Sequence, residues 1–259
     1  MTLNISVGNT VWWMVIALGC ALTAFMYLLL RKKNDEQKRK AMLFIGCAIM
    51  VLFYVQRILM FRFDAFVSIY GSGWEHILTE LLPFNLCYLS VIVMIIGAHL
   101  NNKYLLGFCF YISSMGAVLA LVAPVGIFTD TNLLQPAVGM FYFLHILVAA
   151  AYWNIGFLGL VKPGKVMAIT SPLLLNVISF LIHIVNWLGR SVGIDCMNYF
   201  YTFDPEGSSM LELFWEWVPV PYFYLIVPGY VIFAGWSVLL TLLYRCGVLL
   251  RKGKVRTFE

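Results

Sequence analysis

Charged side chains are scarce in this sequence. Only 11% of its 259 residues are Asp, Glu, Lys or Arg, whereas 62% are hydrophobic. Soluble globular domains carry roughly 25% charged residues. The composition therefore excludes an ordinary soluble domain and indicates an integral membrane protein.

The sequence also lacks the features that usually separate domains. It has no Ser- or Pro-rich linker, no low-complexity tract and no visible internal repeat. Such segments mark domain boundaries or the units of repeat proteins. Their absence predicts a single helical transmembrane domain over residues 1–259.

A metal-binding or disulfide pattern of cysteines is missing as well. The chain has six cysteines, none in a CxxC pair, and four of them fall within apolar segments. Zinc sites and disulfide frameworks both need closely spaced or paired cysteines. We therefore expect no metal and no cofactor.

The formal net charge of +5 does not indicate a nucleic-acid partner. The Lys and Arg residues cluster next to apolar segments, where cations meet anionic lipid headgroups. We expect membrane phospholipids as partners and no nucleic acid.

Long apolar stretches are what the chain does have. A helix needs about 20 apolar residues to cross roughly 30 Å of hydrocarbon. Seven stretches approach or reach that length: 11–30, 41–60, 84–100, 104–123, 137–155, 166–188 and 222–244. The sequence thus predicts an all-α polytopic protein, a bundle of seven transmembrane helices.

The cations indicate how this bundle is oriented. Of 17 Lys and Arg residues, 14 lie in the 31–40 linker, in later loops of the same parity and in the C-terminal tail. The opposite loops carry only Arg62 and Arg190. Cytoplasmic loops are enriched in Lys and Arg, so we predict that the N-terminus is outside and the C-terminus inside.

Two reactive side chains lie in apolar spans. At 1.5 Å rise per residue, Cys87 is about 5 Å and His145 about 12 Å from the outer end of its predicted helix. Both therefore belong to the outer half of the membrane. If the third helix continues through Pro83, Glu80 shares a face with Cys87 and caps the same cavity.

The sixth span carries a polar stripe that runs toward the outer surface. Polar side chains are costly in lipid, so the stripe should face the bundle interior or a wet cavity. An outer cavity among the third, fifth and sixth spans follows. Arg57, in the outer part of the second span, offers bidentate donors for a lipid phosphate. The stripe consists of Asn176, Ser179, His183 and Asn186.

A Cys–His pair predicts acyl chemistry. A thiol is mostly protonated at neutral pH and apolar surroundings disfavour the thiolate, so Cys87 needs a base such as His145. Asn85 and nearby backbone N–H groups are candidates for an oxyanion hole. With a lyso-lipid hydroxyl as acceptor the protein is an acyltransferase or transacylase, and with water it is a lipid hydrolase.

The same residues also allow a non-catalytic interpretation. A membrane Cys is often an apolar filler, a His often hydrogen-bonds between helices, and an Arg often snorkels to headgroups. The alternative is thus a receptor or carrier that binds a lipid or small solute in the cavity.

Three short motifs carry a resemblance to a known family. In order and spacing of segments, the chain from the second span onward resembles the YwaF family of bacterial integral membrane proteins. That family includes a eukaryotic cysteine-dependent acyltransferase of ether phospholipids. The motifs are Leu82-Pro83-Phe84-Asn85-Leu86-Cys87, Phe143-Leu144-His145 and Asn198-Tyr199-Phe200-Tyr201.

The resemblance implies roles for some of these residues. Cys87 takes the role of the acyl-accepting cysteine and His145 that of the histidine, while Asn198 and Tyr199 match a motif in the outer loop. Many relatives have histidine where this chain has Asn85, which argues against a scheme with two histidines. The resemblance also implies a location in a bacterial cell membrane.

Overall fold

The computed structural model of the chain is almost entirely helical. It describes residues 3–70, 73–122, 124, 128, 130–205 and 209–256. The ends of the predicted domain, residues 1 and 259, and residue 123 of the fourth predicted span lie outside the described residues.

Eleven α-helices, one π-helical segment, one 3₁₀ turn and two short strands make up the described chain. In order they are β1 (Asn4–Ile5), α1 (Thr10–Leu30), α2 (Asp35–Met60), α3 (Asp64–Tyr70), α4 (Trp74–Leu81), α5 (Leu86–His99), α6 (Lys103–Phe108), the π-helical segment Cys109–Ser113, α7 (Ser114–Val122), β2 (Thr131–Asn132), α8 (Pro136–Phe157), α9 (Lys165–Ser191), the 3₁₀ turn Tyr199–Tyr201, α10 (Ser209–Trp217) and α11 (Phe223–Arg256).

Six of these helical spans are long and apolar enough to cross a membrane by themselves. They are Thr10–Leu30, Asp35–Met60, Lys103–Val122, Pro136–Phe157, Lys165–Ser191 and Phe223–Gly247. A seventh span exists only if α4 and α5 are counted together. The prediction of an all-α polytopic membrane protein is confirmed.

The expectation that the third helix continues through Pro83 is wrong. Helix α4 ends at Leu81, Leu82 is extended with ψ 125°, and α5 begins at Leu86. The two helices are bent by 40°. A residue that precedes proline avoids the α conformation, and proline has no N–H for the helical ladder. Since α5 has 14 residues, it is only about 21 Å long.

Helix α8 is the centre of the bundle. It packs against α1, α2 and α7, and most of its side chains are buried. The buried Asn154 donates from Nδ2 to the Thr23 carbonyl of α1, at 3.1 Å. Gln135 caps the first turn and Pro136 occupies its first position, where the missing N–H costs nothing.

Candidate functional site

A large cavity opens among the helices that the sequence predicted to surround one. Its volume is about 980 Å³, at the upper end of the roughly 300–1,000 Å³ typical of small-molecule sites. Helices α2, α4, α5, α7, α8, α9 and α11 and the 3₁₀ turn all contribute to its wall. The predicted site residues that line it are Arg57, Glu80, Asn85, Cys87, His145, Asn176, Asn198 and Tyr199.

Cys87 lies in the first turn of α5. It is half-buried, and its backbone carbonyl accepts a hydrogen bond from the Tyr152 hydroxyl of α8 at 2.8 Å. Tyr152 thereby fixes the backbone of Cys87 against the helix that carries the histidine.

His145 is buried, and its ring has a defined hydrogen bond. Nδ1 lies 2.8 Å from the Phe141 carbonyl oxygen. A carbonyl oxygen only accepts, so in the neutral ring Nδ1 carries the proton and Nε2 has a free lone pair. The ring is also held between aromatic neighbours, with centroids 4.3 Å from Phe141 and 6.0 Å from Tyr88. This tautomer has the lone pair that a general base requires.

Arg57 and Glu80 form an ion pair at the cavity wall. The Arg57 Nη1 donates to Glu80 Oε2, and the two side chains are 6% and 21% exposed. The guanidinium also lies 4.8 Å from the Phe53 ring centroid. Its buried Nε has no hydrogen-bond partner among the described residues. The charge of Arg57 is therefore balanced by Glu80, while the Nε–H of Arg57 is a donor without an acceptor among the described residues.

Gln56 and Tyr88 extend this polar wall, and their pairing is not evident from the sequence. The Tyr88 hydroxyl donates to Gln56 Oε1 at 3.0 Å, and the Arg57 guanidinium lies 5.6 Å from the Tyr88 ring centroid. Tyr88 follows Cys87 directly, but a tyrosine in an apolar span gives no signal of its own. Only the packing of α2 on α5 brings the two together.

Asn85 occupies the N-cap position of α5. Its side chain makes no capping hydrogen bond, whereas an N-cap Asn normally accepts a bond from the first turn. The side chain lines the cavity instead. The N-terminus of α5 also carries partial positive charge and free N–H groups. An oxyanion near Cys87 would lie close to the Asn85 side-chain amide and to the free N–H groups of the first turn of α5.

The 3₁₀ turn Tyr199–Tyr201 forms part of the cavity wall and is held in an unusual conformation. Phe200 and Tyr201 have φ of 59° and 55°, which is rare for bulky side chains. The buried Asn186 of α9 stabilises it: its Nδ2 donates to the Tyr199 carbonyl, at 2.8 Å, and to Thr202 Oγ1, and its Oδ1 accepts from the Tyr199 N–H. Asn186 is thus a buried scaffold for this turn.

Tyr199 ties the turn to α4. Its hydroxyl donates to the Thr79 carbonyl at 2.6 Å, and its ring packs edge-on against Phe84 at 5.4 Å. Burial, together with the Glu80 carboxylate, raises the pKa of Tyr199, so the phenol remains a donor. Asn198 is buried and donates to the Asp204 carbonyl at 2.9 Å, which closes the loop that follows.

His183 is not brought to the cavity. Its Nδ1 lies 3.1 Å from Thr202 Oγ1, and its ring stacks on Phe203 at 4.7 Å. His183 therefore packs against the 198–204 loop and does not line the cavity. Asn176, about two turns before His183 on α9, is half-buried and does line the cavity. The polar stripe of α9 is divided between the cavity and the loop.

Among the described residues, no group of three His, Cys, Asp or Glu side chains is arranged to hold a metal ion. The wall of the cavity instead combines two thiols, two imidazoles, two ion pairs and amide groups: Cys87 and Cys196, His76 and His145, Arg57–Glu80 and Arg190–Asp204, and the asparagines named above. Such a set is suited to proton transfer and to binding of an anionic or amphipathic ligand.

Comparison with known proteins gives one match. Neither the curated proteins nor the solved structures contain a significant match to this chain. The model of the TMEM164 family, a membrane protein family, matches residues 6–240. The narrower YwaF assignment and a bacterial membrane stay predictions. Because the match covers most of the chain, including every residue of the candidate site, the chain belongs to the TMEM164 family.

Proposed function

We propose that the protein is a cysteine-dependent acyltransferase that acts on membrane phospholipids. Cys87 is the nucleophile and His145 the general base. The observation that carries the proposal is that the two side chains line one cavity in the bilayer, with His145 held in the tautomer whose Nε2 is free to accept a proton. Both roles also follow from the resemblance of the surrounding motifs.

The first half-reaction transfers the acyl group to the enzyme. His145 Nε2 takes the thiol proton as Cys87 Sγ attacks the ester carbonyl, forming a C–S bond. The ester C–O bond then breaks, and the imidazolium returns the proton to the leaving oxygen. The products are a thioester on Cys87 and a lyso-lipid. Asn85 and the N-terminus of α5 supply donors for the oxyanion.

The second half-reaction regenerates the thiol. The hydroxyl of a lyso-lipid gives its proton to His145 and attacks the thioester, and the departing sulfur takes the proton back. The acceptor is a lyso-lipid in the acyltransferase. With water as acceptor, the same steps release a fatty acid, so acceptor choice separates transferase from hydrolase.

The decisive experiment is intact-mass analysis of the purified protein after incubation with labelled phospholipid. Wild type is expected to carry a hydroxylamine-labile acyl adduct. Cys87→Ala is expected to carry none, and His145→Ala to form it about 10²–10⁴-fold more slowly, the usual contribution of a general base. Cys109→Ala is the matched control, because that buried thiol donates to the Ser90 carbonyl and is not among the residues that line the cavity; this variant is expected to form the adduct as wild type does.

A different result would favour the receptor or carrier. If folded wild-type protein binds phospholipid but forms no adduct and turns none over, the catalytic proposal is wrong. Retention of full activity in Cys87→Ala would also contradict it. In either case the cavity, with its Arg57–Glu80 pair, would be a binding site only.

A further inference from the structure

The cavity has a polar part and an apolar part. The polar part is formed by α2, α4, the start of α5 and the 3₁₀ turn, where Arg57, Glu80 and Asn198 line it. The apolar part is lined mainly by α7 and α11, and we call it the apolar limb. Leu119 and Ala120 of α7 and Ile232 of α11 are among its lining residues. A single cavity with both parts fits an amphipathic ligand.

Gly229 is a gap in an otherwise bulky wall. On α11 the lining positions recur every three or four residues, and Leu225, Ile226, Ile232 and Phe233 surround Gly229 on this face. A Cβ added at Gly229 would meet no atom within 4 Å. The space next to this glycine is therefore open cavity rather than a close helix contact.

The gap lies away from the reactive pair. Cys87 and His145 come from α5 and α8, whereas α11 packs mainly on α9. A chain whose ester carbonyl is at Cys87 therefore extends along the apolar limb toward α11. Its methyl end, rather than its carbonyl end, reaches the open space at Gly229.

We propose that the apolar limb holds the acyl chain of the lipid and that Gly229 determines how long a chain it accepts. This inference rests on the proposed function for the identity of the chain. Gly229 is a specificity-determining residue, and its lack of a side chain provides room for the last methylenes. A bulky residue there shortens the limb without contact to Cys87 or His145.

The test compares two glycines of the same helix. Gly229→Leu adds a side chain inside the limb, whereas Gly235→Leu adds the same side chain on the exposed surface of α11, where a Cβ also meets no atom within 4 Å. Both substitutions raise helix propensity equally. Any difference between the two variants therefore comes from the limb.

Each variant is incubated with vesicles of equimolar dilauroyl, dipalmitoyl and distearoyl phosphatidylcholine. Lipid retained without covalent attachment is measured by native mass spectrometry in a Cys87→Ala background, and adducts are measured with Cys87 present. The bilayer that supplies the lipid is as apolar as the limb, so the chain ratio reports how well the chain end fits rather than the hydrophobic effect. Overpacking by an added side chain lowers occupancy about fivefold or more, so Gly229→Leu should lower the ratio of distearoyl to dilauroyl lipid by at least about fivefold, with Gly235→Leu like wild type.

The outcomes separate this inference from the proposed function. An unchanged chain ratio in folded Gly229→Leu overturns the inference, even if the adduct forms normally. A shifted ratio of retained lipid, with no adduct in wild type, supports the inference and overturns the catalytic role of Cys87. If Gly229→Leu does not fold, Ala120→Leu on α7, which also lines the limb, replaces it and should shift the ratio in the same direction.

Discussion

At the scale of single residues, the Arg57–Glu80 pair is the more deeply buried of two ion pairs that line the cavity, the other being Arg190–Asp204. A buried charge without its partner is costly, because the interior replaces the lost hydration poorly. Arg57 is the more deeply buried of the two, with 6% of its side chain exposed against 21% for Glu80. Loss of the carboxylate should therefore cost more than loss of the guanidinium, because Glu80 still reaches solvent.

We expect Glu80→Gln to lower the free energy of unfolding by about 2–4 kcal/mol, since it leaves Arg57 buried and uncompensated. Arg57→Met should cost less, because the remaining carboxylate is partly hydrated. Thermal unfolding in detergent is measured for Glu80→Gln, for Arg57→Met and for the double variant. The three changes in unfolding free energy give the coupling energy between the two side chains. A double variant less stable than Glu80→Gln would contradict this account of the pair.

In the proposed mechanism, Tyr152 positions Cys87 and does not itself touch the reacting atoms. Removing its hydroxyl frees the Cys87 carbonyl from α8 while the thiol and the imidazole stay intact. We expect Tyr152→Phe to cost about 1 kcal/mol of stability and to slow adduct formation about tenfold or more, because small displacements of reacting groups are costly.

Tyr142→Phe is the matched control for this prediction. Tyr142 is a buried tyrosine of the same helix whose hydroxyl donates to the Phe128 carbonyl at 2.8 Å. It should lose similar stability and form the adduct at the wild-type rate. Equal slowing by both substitutions would mean that Tyr152 acts only through general stability.

At the scale of elements, the broken helix and the 3₁₀ turn form one part of the cavity wall together. The break at Leu82–Pro83 redirects α4, and the Tyr199 hydroxyl then bonds the Thr79 carbonyl of that helix. The positive φ values of Phe200 and Tyr201 cost of order 1–3 kcal/mol each. The turn keeps this conformation because Asn186 satisfies its polar groups.

We expect Asn186→Ala to destabilise the protein by about 2–4 kcal/mol, because three hydrogen bonds are lost and buried partners stay unsatisfied. The 198–205 loop should also become sensitive to protease. Asn154→Ala removes another buried asparagine, which ties α8 to α1. It should lower stability without exposing that loop, whereas equal protease sensitivity of the two variants would contradict the role assigned to Asn186.

At the scale of the whole molecule, the charge distribution places the cavity relative to the membrane. The Lys- and Arg-rich loops lie at one end of the bundle, and the polar part of the cavity lies among the loops at the other end. By the excess of cations in cytoplasmic loops, the cavity is predicted to open toward the outside.

An accessibility experiment tests this orientation. A single cysteine at the exposed Asp195 should react with a membrane-impermeant maleimide in intact cells, in a background without the other cysteines. A tag after residue 259 should become accessible only after permeabilisation. Labelling of the tag in intact cells, with Asp195→Cys protected, would reverse the predicted orientation.

Much of the architecture was predictable because it depends on local properties of the chain. Apolar length alone identifies six independent spans, and the predicted limits 11–30 and 137–155 differ from α1 and α8 by only one or two residues. The third span was the exception. Its 17 predicted residues 84–100 contain only the 14-residue α5, because Pro83 prevents α4 from continuing into it.

The candidate site was predictable in part, for a similar reason. Polar side chains are rare in apolar spans, so Arg57, Cys87 and His145 stand out without any structure. His183 stands out equally, yet it bonds Thr202 outside the cavity. Rarity identifies a residue but does not tell which neighbour its side chain meets.

The sequence by itself determined that this is a helical membrane protein, where its six long apolar spans run, and which few polar groups they carry, because hydropathy acts within one segment. It did not predict the short helices α3, α4 and α10. Only the tertiary structure decided that Tyr152 holds the Cys87 carbonyl, that Gln56 pairs with Tyr88, and that Gly229 faces open space. These contacts join residues of different helices. They depend on how each helix is rotated and packed against its neighbours, which no local pattern specifies.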